Sequence, residues 1–158
     1  MPHAAPFVHR NLPLLLLKAR EALMQHYRPA LRAHGLSDQQ WRVLRVLREH
    51  ADGLETGLLA ERAFILGPSL TGMLVRMERD GLVTRQRSAE DARRSLVRAT
   101  AAGLTLADAL VGSIEAQYDD LAGHLGQARL AQLYALLDEL IELPLHEGEP
   151  EPEEEMEH

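Results

Sequence analysis

The stretch Gly67–Ala99, GPSLTGMLVRMERDGLVTRQRSAEDARRSLVRA, restricts the folds open to this chain more than any other. Pro68 suits the first turn of a helix, where a missing N–H costs nothing, and Gly81 suits the position just past its end. Between them Leu70, Met73, Leu74 and Met77 recur at i, i+3, i+4 and i+7, the spacing of one buried helix face. The opposite face offers Ser69, Thr71, Gly72, Arg76 and Arg79. Small polar groups can enter a major groove of DNA while arginines hold phosphates beside it. Two extended runs follow, Leu82–Arg87 and Ser95–Ala99, and Ser88–Arg94 between them is too long for a two-residue hairpin turn. A projecting hairpin with Arg93 and Arg94 near its tip fits. A helix followed by a basic hairpin is the layout of a winged helix-turn-helix.

Charge supports a nucleic-acid partner only once it is mapped. The formal charge of the 158 residues is −7. Residues 62–98 hold eight Lys/Arg against four Asp/Glu, and residues 147–158 hold seven acids and no Lys or Arg. DNA responds to that local field rather than to the total. The segment 144–158 is acidic, contains Pro and has few apolar groups, a composition expected to be disordered.

Upstream, residues 1–9 are expected to be flexible. A helical pattern spans 10–34 through Leu12, Leu16, Leu23, Tyr27 and Leu31, with Pro29 expected to bend or interrupt it. Arg20 lies four residues after Leu16 and three before Leu23, inside that stripe, where a charge needs a partner or a ligand. An intramolecular ion pair and a bound anion are both open readings. Ser37-Asp38-Gln39-Gln40 reads as a capping box. It opens a helix to about Ala51 that buries Val43, Leu44 and Leu47, with Trp41 on the flank. Leu54-Glu55 reads as a short edge strand and Thr56 as the cap of a helix over 57–63, completing the helix-turn-helix. Thr100 caps a long helix to about Leu125, with Leu104, Ala107, Leu110 or Val111, Ile114, Tyr118, Leu121 and Leu125 inward. A last helix over 128–143 carries leucines on more faces than one partner helix needs, which suggests a second copy of the chain.

The chain has no cysteine, so no disulfide or thiolate site is available, and a reducing, cytoplasmic setting is the default. Leu14–Leu17 is far too short to span a bilayer, and no signal-peptide cleavage site or membrane partner is expected. The eight histidines never pair at i, i+4, and no HExxH, nucleophile elbow or glycine-rich phosphate loop occurs. No catalytic residue, metal ligand or cofactor is therefore assigned, and an enzyme is not expected.

The pieces PSLTGMLVRMERDGLV, Asp91-x-Arg93 and Thr100-Ala101-Ala102-Gly103, in that order and spacing, resemble the MarR family of transcriptional regulators over about residues 10–143. The runs KAREALMQHYRP, LSDQQWRVLRVL and ILGPSLTGMLVRMERDGLV are most similar to the regulators of homoprotocatechuate (aromatic-acid) catabolic operons. Gly67 departs from the arginine expected there, at the expense of one phosphate contact.

The resemblance implies a triangular homodimer. Its helical dimerisation region is 10–34 with 100–143, and its winged helix-turn-helix, mainly α with a small β wing, is 35–99. Each winged domain would read one half of a palindromic operator in double-stranded DNA, the half-sites about one helical turn apart. Ser69, Thr71 and Gly72 would meet bases or phosphates, Arg76 the backbone, and the wing arginines Arg93 and Arg94 the flanking minor groove, with Asp91 bracing the wing arginine. A repressor of this kind releases DNA when a small aromatic acid enters the cleft between dimer base and winged domain. Arg20, Met24, Tyr27, Trp41 and Arg42 supply the apolar wall and guanidinium groups such a hydroxy-aromatic or pyridine-type carboxylate needs, Arg20 as principal carboxylate partner and Arg42 second. The alternatives are a winged helix used for protein contacts, or a regulator without an effector.

Overall fold

The computed structural model describes residues 4–91 and 94–144. Two compact units divide at Tyr118/Asp119. In the first unit, residues 4–10 carry no regular structure. The Asn11 side chain then accepts from the Leu14 N–H at 3.1 Å and starts α1 (Leu12–Ala33). Of the two outcomes expected at Pro29, a bend or a break, the break does not occur, and α1 runs through it. Proline leaves the Gln25 carbonyl, four residues back, without its helical donor, and one residue on the Gln117 amide donates to the His26 carbonyl at 2.7 Å. The buried face of α1 also differs from the expected stripe. Met24 and Leu31 are buried and Tyr27 is half-buried, whereas Leu12, Leu16 and Leu23 are exposed, because the described residues cover only the second half of the helix.

The capping box forms as read. The Ser37 hydroxyl accepts from Gln40 N–H at 3.2 Å, and the Gln40 side chain accepts from Ser37 N–H at 3.0 Å. The helix it opens, α2 (Asp38–Arg48), buries Trp41, Val43, Leu44 and Leu47 and stops short of Ala51, in successive turns that lead to Gly53 at φ +86°. After β1 (Leu54–Glu55), α3 (Thr56–Ala63) takes Glu55 as its cap, with no side-chain bond. Thr56, expected to cap, instead donates its hydroxyl to the Ser95 carbonyl at 3.1 Å and ties α3 to the sheet. α4 (Gly67–Arg79) buries the four residues its spacing selects, Leu70, Met73, Leu74 and Met77.

β2 (Val83–Arg87) and β3 (Ser95–Ala99) pair antiparallel, with Val83 opposite Ala99 and Arg87 opposite Ser95, and β1 lies on the other edge of β3. Val83 and Val97 turn inward onto Leu44, Leu47, Leu59 and the α4 stripe to make one core. The next helix, α5 (Ala101–Leu125), is anchored by Thr100, whose hydroxyl donates to the Gly81 carbonyl at 2.6 Å and accepts from Gly103 N–H at 3.0 Å. Its buried face is Gly103, Ala107, Leu110 and Ile114, and Leu104, expected inward, is exposed. Gly103 takes that place because a Cβ there would lie 2.2 Å from the Leu82 carbonyl oxygen.

In the second unit, Gly126 at φ +85° ends α5 and α6 (Gln127–Glu142) follows. No α6 side chain is buried, and Leu133, Leu136 and Ile141 are exposed. Among the described residues no single helix is long and apolar enough to cross a membrane.

Candidate nucleic-acid face and candidate ligand cavity

The same burial that fixes α4 decides what it presents outward. Ser69, Thr71, Gly72 and Arg76 are all exposed. The Thr71 hydroxyl donates to the Gly67 carbonyl at 3.1 Å, so its proton is committed within the helix. A Cβ on Gly72 would find only Arg76 Nη1 at 3.9 Å, so glycine keeps that position free of bulk. Arg76 has no ion pair among the described residues, whereas Arg79 is drawn to Asp80 at 3.2 Å and Arg85 to Glu78 at 3.5 Å. Val75, 52% exposed, belongs to the same outer face. Sequence reasoning missed it because an apolar residue reads as core, although its position one turn after Thr71 was the available signal.

The hairpin loop is closed at its base by Ser88 N–H donating to the Arg94 carbonyl at 2.9 Å, and by Arg94 N–H donating to the Asp91 carbonyl at 3.0 Å. The Asp91 carboxylate stands 4.0 Å from Arg94 Nε. Arg94 is exposed, and so is Arg87 at the end of β2, a further cation not singled out in the sequence. Arg93 and the acidic segment 147–158 lie outside the described residues.

A cavity of about 160 Å³ opens between α1, α2 and α5, lined by Met24, Tyr27, Leu31, Asp38, Trp41, Arg42, Arg45, Ile114 and Tyr118. The rings of Tyr27 and Tyr118 are 5.8 Å apart and tilted by 41°. Four of the five residues expected together, Met24, Tyr27, Trp41 and Arg42, do meet here. Arg20 does not line the cavity. Its Nη2 donates to Asp38 Oδ2 at 2.5 Å, so its partner is intramolecular. Beside it Arg28 makes two bonds to Glu21, at 2.7 and 2.9 Å, which hold the Glu21 carboxyl below the usual range.

Arg42 is partly committed as well. Its Nη1 donates to the carbonyls of Ala63 at 2.8 Å and Phe64 at 2.9 Å, while its Nε is buried without a hydrogen bond, 3.7 Å from Asp38 Oδ2. Phe64 ends α3 in the left-handed region, φ 53° and ψ 56°, a conformation that costs a side-chain-bearing residue about 1–2 kcal/mol. Arg45 forms no hydrogen bond or ion pair among the described residues and also lines a second cavity of about 150 Å³ with Trp41 and Ile114. Asp38, Trp41, Arg42 and Arg45 follow one another at i, i+3, i+4 and i+7, one stripe of α2. The sequence held that signal, but Asp38 was absorbed into the capping box. Ile114 and Tyr118 read only as a helix stripe. Among the described residues no cluster of His, Cys, Asp or Glu could hold a metal ion.

A MarR family model matches residues 34–94. Over 136 residues the chain is 41% identical to the homoprotocatechuate degradative operon repressor of Escherichia coli, spanning 86% of this chain and 91% of that protein. It is 38% identical over 135 residues to the transcriptional regulator FarR of Neisseria gonorrhoeae, spanning 85% and 92%. The crystal structure of NadR in complex with 4-hydroxyphenylacetate superposes with a TM-score of 0.77 at 38% identity, covering 89% of this chain and 99% of that one.

Proposed function

This chain belongs to the MarR family of transcriptional regulators, and from that premise we propose that it is a homodimeric repressor. It binds a palindromic operator and leaves it when a small hydroxylated aromatic carboxylic acid occupies the cavity between α1, α2 and α5. The family is one of regulators, and the chain is read as a regulator rather than an enzyme. Support for the DNA reading is the outward face of α4, with Thr71, Gly72 and the unpaired Arg76, and the basic hairpin behind it. Support for a dimer is the apolar surface left on α1, at Leu12, Leu14 and Leu17, and on α6, at Leu133, Leu136 and Ile141. On this reading 10–34 and 100–143 dimerise and 35–99 reads DNA.

The observation that carries the effector reading is the pairing state of the cavity's charges. Among the described residues Arg45 has no ion pair, and Asp38 is an acceptor, on a wall built from Met24, Trp41, Tyr27 and Tyr118. A cavity of about 150 Å³ accepts a benzene-sized ring. Arg45 then takes the carboxylate and Asp38 accepts from a ring hydroxyl. Arg45 replaces Arg20 in the principal role, because Arg20 is spent on Asp38. Titration calorimetry with 4-hydroxyphenylacetate and phenylacetate tests this. Arg45→Ala is expected to weaken both about 10–100-fold, the worth of a charge-assisted contact of about 1.5–3 kcal/mol. Asp38→Asn is expected to narrow the preference for the hydroxylated acid. Unchanged affinities in both variants would place the ligand elsewhere.

A further inference from the structure

We propose that Arg42 is the positioning residue through which the cavity acts on the DNA-reading helix. This rests on the effector reading above and adds to it a route. Arg42 lines the cavity and also bonds the segment between α3 and α4. One nitrogen of its guanidinium holds two successive carbonyls, Ala63 at 2.8 Å and Phe64 at 2.9 Å. The second of these belongs to the residue held in the left-handed region, and α4 begins three residues later at Gly67. Phe64 gains nothing from packing to offset its backbone, since its side chain is 88% exposed. The hold of Arg42 therefore maintains a turn that a phenylalanine does not favour.

The other end of the same guanidinium supplies the trigger. Arg42 Nε is buried and has no hydrogen-bond partner among the described residues, and the nearby Asp38 oxygen, at 3.7 Å, is bonded instead to Arg20. An acceptor oxygen on a bound aromatic acid satisfies that N–H. The guanidinium is planar and rigid, so re-aiming Nε moves Nη1 with it. The carbonyls of Ala63 and Phe64 lose their donor, Phe64 relaxes toward ordinary backbone angles, and the first turn of α4, carrying Ser69 and Thr71, shifts relative to the groove. A ligand that binds this shape better than the DNA-binding shape lowers DNA affinity by that same ratio.

The test measures the response ratio, the DNA affinity without and with saturating 4-hydroxyphenylacetate, on a duplex from the region upstream of the chain's own gene. Wild type is expected to show a ratio of about tenfold or more, within the usual range of such coupling. Arg42→Gln is expected to bring it to about twofold or less, with acid binding still visible by calorimetry. Phe64→Gly is expected to shrink the ratio by a different cause, because glycine is at ease in the left-handed region and the turn no longer needs its anchor. Phe64 does not line the cavity, so the acid should still bind that variant, weakened only by the strain relief it no longer gains. Amide exchange at Phe64 and Ile65, whose N–H groups bond Glu61 and Ala60, should accelerate on adding the acid in wild type and not in Arg42→Gln. A merely structural Arg42 predicts neither the Phe64→Gly effect nor the acid-dependent exchange. A full response in both variants would overturn the role of Arg42 and leave the effector reading standing. Absence of acid binding by wild type would overturn both.

Discussion

At the scale of single residues, Thr71 shows how a partner inside the protein changes what a side chain can say outside it. Its hydroxyl proton is spent on the Gly67 carbonyl, so on the DNA reading proposed above the side chain offers a groove its methyl and an accepting oxygen but no donor, with Val75 exposed one turn further on. Apolar contact with the thymine 5-methyl is the readout such a surface supports. Thr71→Val, which keeps the methyl, is therefore expected to retain operator preference. Thr71→Ser, which removes it, is expected to lose about 1 kcal/mol at one base pair. Competition binding against a duplex with that thymine replaced by uracil checks this, since wild type should discriminate and Thr71→Ser should not. If Thr71→Val lost the preference and Thr71→Ser kept it, the hydroxyl would be the reader. The arginines teach the same lesson. The sequence offers Arg20 first and Arg42 second as carboxylate partners, but Asp38 and the α3 terminus claim them, and among the described residues Arg45 is left without a hydrogen bond or ion pair.

At the scale of elements, legibility follows whether a segment's partner is close in sequence. The inward stripe of α4, its end at Gly81, the Ser37 capping box and the bounds of the hairpin strands could all be read, because each is set by residues within a turn or two. The buried face of α1 could not, because Leu12 and Leu16 are apolar for a reason that lies outside the described fold. About half of the cavity was legible, the part on α1 at Met24 and Tyr27 and the part on α2 at Trp41 and Arg42. The part from Ile114 and Tyr118 was not, since nothing local tells a helix stripe facing a core from one facing a cavity. Gly103 was seen as part of a turn motif, yet its weight comes from a non-local contact. Alanine is the better helix former by about 1 kcal/mol, which taken alone predicts that Gly103→Ala stabilises. Its Cβ, however, would lie 2.2 Å from the Leu82 carbonyl oxygen and 3.4 Å from Leu44 Cδ2, and the first of these is backbone. The steric cost of overpacking a core, about 1–3 kcal/mol and more where backbone must move, wins. Urea denaturation should show a lower midpoint with an unchanged slope. A midpoint at or above wild type would mean that α5 does not press on the Leu82 turn.

At the scale of the whole molecule the charges divide by segment, and on the DNA reading proposed above the division bears on how tightly the protein holds DNA other than an operator. Residues 62–98 carry eight Lys/Arg and four Asp/Glu, while 147–158 carry seven acids within a chain whose formal charge is −7. Deleting 147–158 leaves a formal charge of zero and removes no residue of the α4 face, the hairpin or the cavity lining. Non-specific affinity is mainly electrostatic, so it should respond most. Operator binding adds base contacts that the acids do not oppose. The deletion is expected to tighten binding to a random-sequence duplex several-fold at 50 mM salt, and the gain should fade as salt rises and screening shortens to about 8 Å at 0.15 M. Operator affinity should change less, so the ratio of specific to non-specific binding should fall. Fluorescence anisotropy on both duplexes across a salt series measures this, with a Gly/Ser segment of equal length in place of 147–158 as the control for chain length. If the acids act through charge, the neutral replacement should behave like the deletion. If it behaved like the wild type, chain length rather than charge would set non-specific affinity, and the acidic residues would have no part in specificity.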